Sequence, residues 1–474
     1  MRQNIIGREQ EQDTLFSLQQ SSMSEFVAIS GRRRIGKTFL VNELFEGQFT
    51  FRATGIYGMD KRAQLSSFNA ALIEAGLKDK QDAEDWLSAF SNLNALINGL
   101  STDYKKIIFL DEVPWMDTPR SGFLSALEHF WNHWASARHD VLLIICGSAA
   151  SWMVNRIFTN YGGLYNRLTR RIALEPFTLQ ECEEYYRSRQ IAYTRMQMME
   201  CYMVFGGIPY YLSLMSPKLS LYQNIDAMFF EPSAPLRDEY TSMYRSLFKN
   251  EDGHLEIIEA LASKGKGLTR QELVKATGLS DGGRLTNILD DLVNNGFIRF
   301  YQAFNKKQKD GLYQVIDLFS LFNLTFAKRR LSLNENFWMQ FTLSPAYRNW
   351  SGYAFERVCL LHVPQIKKAL GISGVMTEVY AWKSTRVEPG AQIYLVIDRH
   401  DGVASLCEMK FSQNRFTIDK AYNRKLRNKR SAFVEETRTR HIPQTVLVTA
   451  SELVRNEYSN ELSAVVTIDD IFAP

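Results

Sequence analysis

The segment Gly31-Arg-Arg-Arg-Ile-Gly36-Lys37-Thr38 stands between an apolar run, Phe26-Val-Ala-Ile-Ser30, and an apolar-periodic stretch that starts at Phe39-Leu40. A strand, a glycine-bounded turn carrying lysine and threonine, and a helix in immediate succession form a phosphate-binding loop. The two glycines let the backbone curl so that successive amide hydrogens and the helix N-terminus face a β-phosphate. Lys37 then offsets charge on the β- and γ-phosphates, and the Thr38 hydroxyl ligates magnesium. Gly31, Gly36, Lys37, Thr38 and Phe39 are therefore the candidate cofactor-binding residues, and ATP with Mg2+ the expected cofactors. Stripped of its flanks, the same segment is a strand-to-helix turn with a solvated lysine.

Short apolar runs alternate with longer amphipathic stretches from Phe26 to about Arg171, the pattern of an α/β parallel sheet. One of them, Lys106-Ile-Ile-Phe-Leu-Asp111-Glu112, is a strand that closes in two carboxylates. Asp111 is the candidate magnesium ligand beside Thr38. Glu112 is the candidate for orienting or polarising the attacking water, a role that needs a carboxylate at the strand's carboxyl end near the γ-phosphate. A third strand, Val141 to Cys146, ends in Gly147-Ser148. Ser148 is either a catalytic hydroxyl beside the γ-phosphate, if this strand neighbours the Asp111 strand, or the cap of the next helix. Among Arg167, Arg170 and Arg171, Arg170 is the candidate guanidinium for a phosphate, in cis or from a neighbouring subunit; the alternative is a solvated basic turn.

Lys+Arg 56 against Asp+Glu 52 leaves a formal charge of +4 over 474 residues, which excludes a histone-like polycation and an acidic disordered tail. The five cysteines are scattered without zinc-knuckle or redox-pair spacing, as expected in a reducing cytoplasm. No apolar stretch approaches a membrane span, and Met1-Arg2-Gln3-Asn4 leads into polar residues rather than a leader's apolar region. A cytoplasmic chain with no membrane partner is the expectation. The length exceeds one core. Between about Phe177 and Lys249 strand signals give way to helical spacing, a small helical domain. From about His254 to Tyr313 three short helices precede two strands around a turn with Lys306, Lys307 and Lys309, the pattern of a winged helix. A helical connector and a second α/β domain follow. The fold class is multidomain α/β, with boundaries expected at 1–175, 176–249, 250–318, 319–345 and 346–474.

Gly7-Arg8-Glu9, the arginine-rich loop, Leu110-Asp-Glu112, Gly147-Ser148 and Gly206-Gly-Ile-Pro209-Tyr-Tyr-Leu212 together resemble, in order over about residues 5 to 215, the archaeal-type P-loop ATPases related to the AAA+ and STAND groups. The resemblance implies a P-loop parallel-sheet domain followed by a helical lid. It also implies that Arg8 and Pro209 lie on the adenine side of the nucleotide. From the residues alone, Gly206-Gly207 before Pro209 is a helix break.

In the winged-helix segment Thr269 and Glu272 form a capping box and Gly278 a helix stop. The next helix turns Leu285, Ile288, Leu289 and Leu292 inward and Arg284, Thr286 and Asn287 outward, toward a DNA groove or toward nothing. Asp281, Asp290 and Asp291 oppose phosphate contact, so the element is either a DNA reader or a packing module. Further on, Glu408-Met-Lys410 puts a carboxylate and an ammonium on one face of a strand. Gly352-Tyr-Ala-Phe-Glu356, Gly390-Ala-Gln-Ile-Tyr394-Leu-Val-Ile-Asp398 and Leu406-Cys-Glu-Met-Lys-Phe-Ser412 resemble the restriction-endonuclease-like domain found after such ATPases, over about residues 346 to 474. The resemblance implies a nuclease site of Glu356, Asp398, Glu408 and Lys410, active or degenerate, because Tyr394 fills the slot of an expected acid. Lys410 to Arg430 is densely basic with interleaved aromatic residues, which suits a nucleic acid backbone. The expected activity is magnesium-dependent ATP hydrolysis in a nucleotide switch coupled to a DNA-interacting, nuclease-like module. The alternative is a nucleotide-sensing scaffold that forms homo-oligomers without turnover.

Overall fold

The computed structural model describes residues 5–78, 82–100, 104–148, 150–158, 164, 166–248, 251–265, 267–304, 311–327, 337–384 and 391–474. The three wing lysines Lys306, Lys307 and Lys309, and Gly390, lie outside the described residues. The chain divides into two compact units, Met1–Glu175 and Pro176–Pro474.

In the first unit the order is α1 (Glu9–Gln19), β1 (Glu25–Ser30), α2 (Lys37–Leu44), β2 (Phe49–Thr54), α3 (Lys61–Glu74), α4 (Trp86–Asn98), β3 (Lys106–Asp111), α5 (Val113–Met116), α6 (Phe123–His133), β4 (Val141–Gly147) and β5 (Arg170–Ala173). All five strands lie parallel in the order β2-β3-β4-β1-β5. Strands β1, β3 and β4 are buried along their whole length. Both of their faces are covered, which is why they appear in the sequence as unbroken apolar runs. Phe26, Ile108 and Leu143 pack with Phe68, Trp86 and Phe130 on one face; Val27, Phe109 and Ile144 pack with Leu15, Leu40 and Val41 on the other.

The second unit opens with helices Leu179–Ser188, Arg195–Phe205, Pro209–Ser213, Leu221–Phe229 and Glu239–Leu247. Reciprocal caps start three of them: Thr178 with Glu181, Thr194 with Gln197, Ser220 with Gln223. Helices Asp252–Ser263, Arg270–Thr277 and Gly283–Asn294 then accompany an antiparallel sheet of β6 (Leu268–Thr269), β7 (Ile298–Tyr301) and β8 (Leu312–Val315), in the order β6-β8-β7. In the third helix Leu285, Ile288, Leu289 and Leu292 are buried while Arg284, Thr286 and Asn287 are exposed.

Helix Pro345–Leu361, capped by Ser344, leads to the last sheet. Its strands are β9 (Thr377–Lys383), β10 (Gln392–Arg399), β11 (Val403–Lys410), β13 (Ile442–Thr449) and β15 (Ala464–Val466), ordered β15-β13-β11-β10-β9, with a small pair, β12 (Phe416–Thr417) and β14 (Leu453–Val454), beside it. The first three form an antiparallel meander; β13 returns parallel to β11 after helix Lys420–Thr437. The sequence gives no expectation of β9 or β15. Both are the outermost strands, β9 is largely exposed and β15 is three residues long, so neither carries an apolar run.

One apolar core runs through this unit from Phe177 to Phe472. Polar ties cross the same span. Glu200 accepts from Tyr222 and Tyr347 at 3.2 Å each, and also from Gln413. The Leu179 N–H donates to His362 Nε2 at 3.1 Å. The segment after β7 joins the last sheet: Ala303 bridges Ala381 of β9, the Phe304 N–H donates to the Ala381 carbonyl at 2.9 Å, and the Phe304 ring packs on Tyr380 and Phe433. Arg357 fixes the other side, donating to the carbonyls of Val315 at 3.2 Å and Gly265 at 2.6 Å.

Candidate functional site

The carboxyl ends of β1, β3 and β4 meet at one edge of the first sheet. Gly31 leaves β1 at φ 147, and a Cβ there would lie 2.6 Å from the Leu174 carbonyl oxygen. Only glycine fits so close an approach, and Gly36 at φ 93 supplies the second turn that starts α2. The Lys37 ammonium, 5% exposed, donates back across this loop to the carbonyls of Gly31 at 2.8 Å and Arg32 at 3.1 Å. Burial lowers its pKa, against the raising influence of Glu112 and Asp111.

Thr38 Oγ1 donates to Asp111 Oδ2 at 2.7 Å, so the hydroxyl and the carboxylate expected to share a magnesium ion are adjacent. Burial pushes the Asp111 carboxyl up and the Thr38 hydrogen bond opposes it. The buried Asp111 carboxylate and the accessible Thr38 hydroxyl form an all-oxygen donor pair suited to a hard cation, so these residues fit the expected ion. Beyond Asp111 the chain takes a left-handed step at Glu112, φ 48. Since β4 lies beside β3, the Glu112 side chain meets Ser148: Oε2 accepts from the Ser148 N–H at 3.1 Å and from its hydroxyl at 2.8 Å. Ser148 is thus beside the acid pair, as the neighbouring-strand alternative requires.

The other candidates stand elsewhere. The Phe39 ring is 51% exposed on α2. Arg170 is the first residue of β5 rather than part of a turn, and it pairs with Val27, three residues back from Ser30. At strand rise that is about 10 Å from the loop end of β1, so the sheet does not bring Arg170 to the phosphate loop within this chain. Arg8, 8% exposed, donates from Nη2 to the Glu175 carbonyl at 2.5 Å. Pro209 opens helix Pro209–Ser213 of the second unit, after Gly206 and Gly207 with φ 67 and 68.

Comparison with known proteins gives one family match in the first part of the chain and longer, more distant likenesses. Residues 5–215 match the family described as an ATPase domain predominantly from Archaea. The match covers the whole phosphate-loop sheet and ends before residue 216. An uncharacterized protein of Methanocaldococcus jannaschii is 25% identical over 368 residues, 77% of this chain and 78% of the relative. Among solved structures, the Walker-type ATPase of Pyrococcus abyssi superposes with a TM-score of 0.50 at 16% identity, covering 68% of this chain and 97% of that one, which shows a shared fold. The Aeropyrum pernix ORC2 protein in its ADPNP–ADP complexes gives 0.40 at 14% identity over 70% and 98%.

Beyond the matched segment, helix Pro345–Leu361 and the last sheet bring some of the nuclease-like candidates together. Glu408 on β11 accepts from Lys429 Nζ at 2.6 Å and from the Tyr422 hydroxyl at 3.0 Å, both on helix Lys420–Thr437. Glu356 lies near enough to Glu408 and Arg357 to feel both charges; burial pushes its carboxyl up to about 7. Burial, and after it the charge of Glu356, push the Tyr394 hydroxyl above its ordinary range, so Tyr394 borders the group. Lys410 Nζ lies 5.9 Å from the Tyr422 ring centroid. Asp398 is not part of the group. It pairs with Ala404, four residues from Glu408, and its carboxylate is held by His441 Nδ1 at 2.6 Å. Among the described residues no three His, Cys, Asp or Glu side chains gather where they could hold a metal, and both Glu408 oxygens are engaged. The group does not fit a metal-dependent site.

Sequence reasoning missed Lys429, Tyr422 and Glu175 as neighbours of candidate residues. Lys429 was visible only as one cation in a basic run; a helix and a strand must pack before it faces Glu408. All five cysteines are free and buried, and no described helix is long and apolar enough to cross a membrane.

Proposed function

We propose that this chain is a magnesium-dependent ATPase that works as a nucleotide switch. The observation that carries the reading is the Thr38–Asp111 hydrogen bond beside the Glu112–Ser148 pair, since it groups a cation-binding pair with a second, separately held carboxylate. Thr38 and Asp111 would hold magnesium, which supplies charge neutralisation on the β- and γ-phosphates when bound. Lys37 and the loop amides bind and orient the triphosphate. Glu112 receives the proton of the water that attacks the γ-phosphorus as the bond to the β-phosphate oxygen breaks, and Ser148 fixes that carboxylate's direction. Glu112→Gln keeps the hydrogen-bonding shape and loses the base. It should bind ATP like the wild type while phosphate release falls by at least a hundredfold. Wild-type turnover in this variant would overturn the assignment of Glu112.

The switch acts on the second unit, read as a helical lid (176–249), a winged helix (250–318), a connector (319–345) and a nuclease-like domain (346–474), with Arg8 and Pro209 on the adenine side. Nucleic acid is the proposed partner of helix Lys420–Thr437. Lys420, Arg424, Lys425 and Arg430 are exposed there, and none has a carboxylate at ion-pairing distance among the described residues. Four such cations on one exposed helix suit a phosphate backbone. The winged helix is the weaker candidate, because the segment at Ala303-Phe304 is committed to β9.

A second reading, a nucleotide-sensing scaffold that assembles into homo-oligomers and carries a degenerate nuclease fold, is favoured by Tyr394 and by the engaged Glu408. It predicts no DNA nicking with magnesium or manganese, with or without ATP.

A further inference from the structure

We infer that Gly55 and Gly147 are positioning residues for Glu112: having no side chains, they let the strands on either side close on the turn from Glu112 to Pro114 and hold it in its left-handed conformation. The inference goes beyond the ATPase reading above and rests on it for the role of Glu112.

A left-handed backbone at a residue with a side chain costs about 1 to 2 kcal/mol. It persists only where the surroundings over-determine it. Glu112 stands at φ 48 and ψ 46. Its own chain supplies two restraints: the Glu112 N–H donates to Asp111 Oδ1 at 2.9 Å, and the Trp115 N–H donates to the Glu112 carbonyl at 2.9 Å. Both bonds move with the turn, so neither fixes it against the sheet.

The neighbouring strands do that. On one side β2 pairs with β3 up to Thr54 opposite Asp111, and the next N–H, that of buried Gly55, donates to the Asp111 carbonyl at 2.9 Å. A Cβ on Gly55 would overlap the Glu112 carbonyl oxygen and lie 3.1 Å from Trp115 Cβ. On the other side Gly147 ends β4, opposite Ser30, where the phosphate loop begins. A Cβ there would lie 2.8 Å from both Cγ and Cδ of Pro114 and 3.0 Å from Met153 Sδ. Carbon atoms pack at about 3.5 to 4.0 Å, so neither strand can carry a side chain here without pushing the turn away. Neither glycine has a positive φ; at both it is the room, not the torsion, that selects glycine.

The two contacts reach the carboxylate by different routes. The oxygen that faces Gly55 belongs to Glu112 itself, so a methyl group there would rotate the peptide that carries the side chain. A methyl group on Gly147 would displace the Pro114 ring, two residues beyond Glu112, and Gly147 also precedes Ser148, whose N–H and hydroxyl hold Glu112 Oε2. Neither glycine touches Lys37 or Thr38 in these contacts, so the binding of ATP is left alone while the aim of Glu112 changes. A displacement of about 1 Å at a reacting group can cost about a hundredfold in rate.

The test is ATP binding and single-turnover hydrolysis in wild type, Gly55→Ala, Gly147→Ala, Glu112→Gln and two double variants, Gly55→Ala with Glu112→Gln and Gly147→Ala with Pro114→Ala. Each glycine variant should lose at least tenfold in rate and keep its ATP affinity within threefold of the wild type. In the Glu112→Gln background Gly55→Ala should lower the residual rate less than twofold, because the group it misdirects is already gone. Removing the Pro114 ring should bring Gly147→Ala back to within threefold of the wild-type rate, since the Met153 side chain is flexible enough to yield. A glycine variant that turns over normally, or that loses ATP affinity, overturns the inference. Losses that multiply in the Glu112→Gln background, or a Pro114→Ala change that rescues nothing, make the glycines merely structural and also overturn it. Glu112→Gln at the wild-type rate fails earlier, at the ATPase reading, and takes this inference with it.

Discussion

Glu112 is placed by its backbone as much as by its charge. Strand β3 ends at Asp111, whose Oδ1 accepts the Glu112 N–H at 2.9 Å, and the left-handed step that follows turns the next side chain toward β4. There the Ser148 hydroxyl and amide hold one carboxylate oxygen. Ser148→Ala removes one of these two bonds, worth about 1 to 1.5 kcal/mol. The expected result is a roughly tenfold fall in kcat with KM for ATP unchanged, read from phosphate release. In the second unit His362 offers a pH-dependent counterpart. Its Nε2 accepts from Leu179, so Nδ1–H donates to the Val358 carbonyl at 2.8 Å and the ring must be neutral. Burial lowers its pKa from 6.5 to about 4. As pH falls through that window the unfolded chain takes up the proton first, so stability present above 6.5 is lost toward 4, by at most about 3 kcal/mol. Glu356, raised to about 7, works in the opposite sense. Denaturant melts of wild type and His362→Asn at pH 7 and pH 4.5 should therefore differ in slope with pH, the variant losing less.

At the scale of elements, legibility followed the range of the chemistry. The phosphate loop, the acid pair and the strands carrying them could be found in the sequence because each lies within a few residues of chain. That Ser148 meets Glu112 depends on β4 inserting between β3 and β1, a choice of sheet order that the sequence leaves open. The last sheet was half legible: β10, β11 and β13 carry apolar runs, whereas β9 and β15 are exposed or short. Asp398 shows the limit most clearly. It shares a strand with Tyr394 yet serves His441 at the other end. Arg357 is another residue that no pattern announces. It is 2% exposed and ties helix Pro345–Leu361 to β8 and to Gly265. Arg357→Leu would remove a buried guanidinium that donates to two carbonyls and to Glu356, and should destabilise the second unit by about 3 kcal/mol or more, measured by chemical denaturation.

At the scale of the molecule, the five segments expected from the sequence fall into two compact units, and in the larger one a main core runs across all of its segments beside two small clusters in the last domain. Leu179, Leu292, Phe322, Val358 and Val446 all belong to the main core. Residues 176–474 expressed alone should unfold in one transition by calorimetry and circular dichroism. A fragment of 346–474 should be insoluble or lack a cooperative transition, because it exposes the face at Trp350 that Phe322 and Phe326 cover in the whole unit. An independently folding 346–474 would mean that the core is two cores in contact.

The strand pairing at Ala303 also bears on how the chain behaves in a crowd. Strand β9 is the outer edge of its sheet, with Val379 and Met376 exposed beside it. An open edge of that kind recruits strands from other molecules. Occupied at Ala381 by a strand of its own chain, the edge has part of its backbone already spent. A chain altered at Phe304 should then fail first by sticking to its own copies, seen as light scattering at concentrations where the parent stays clear.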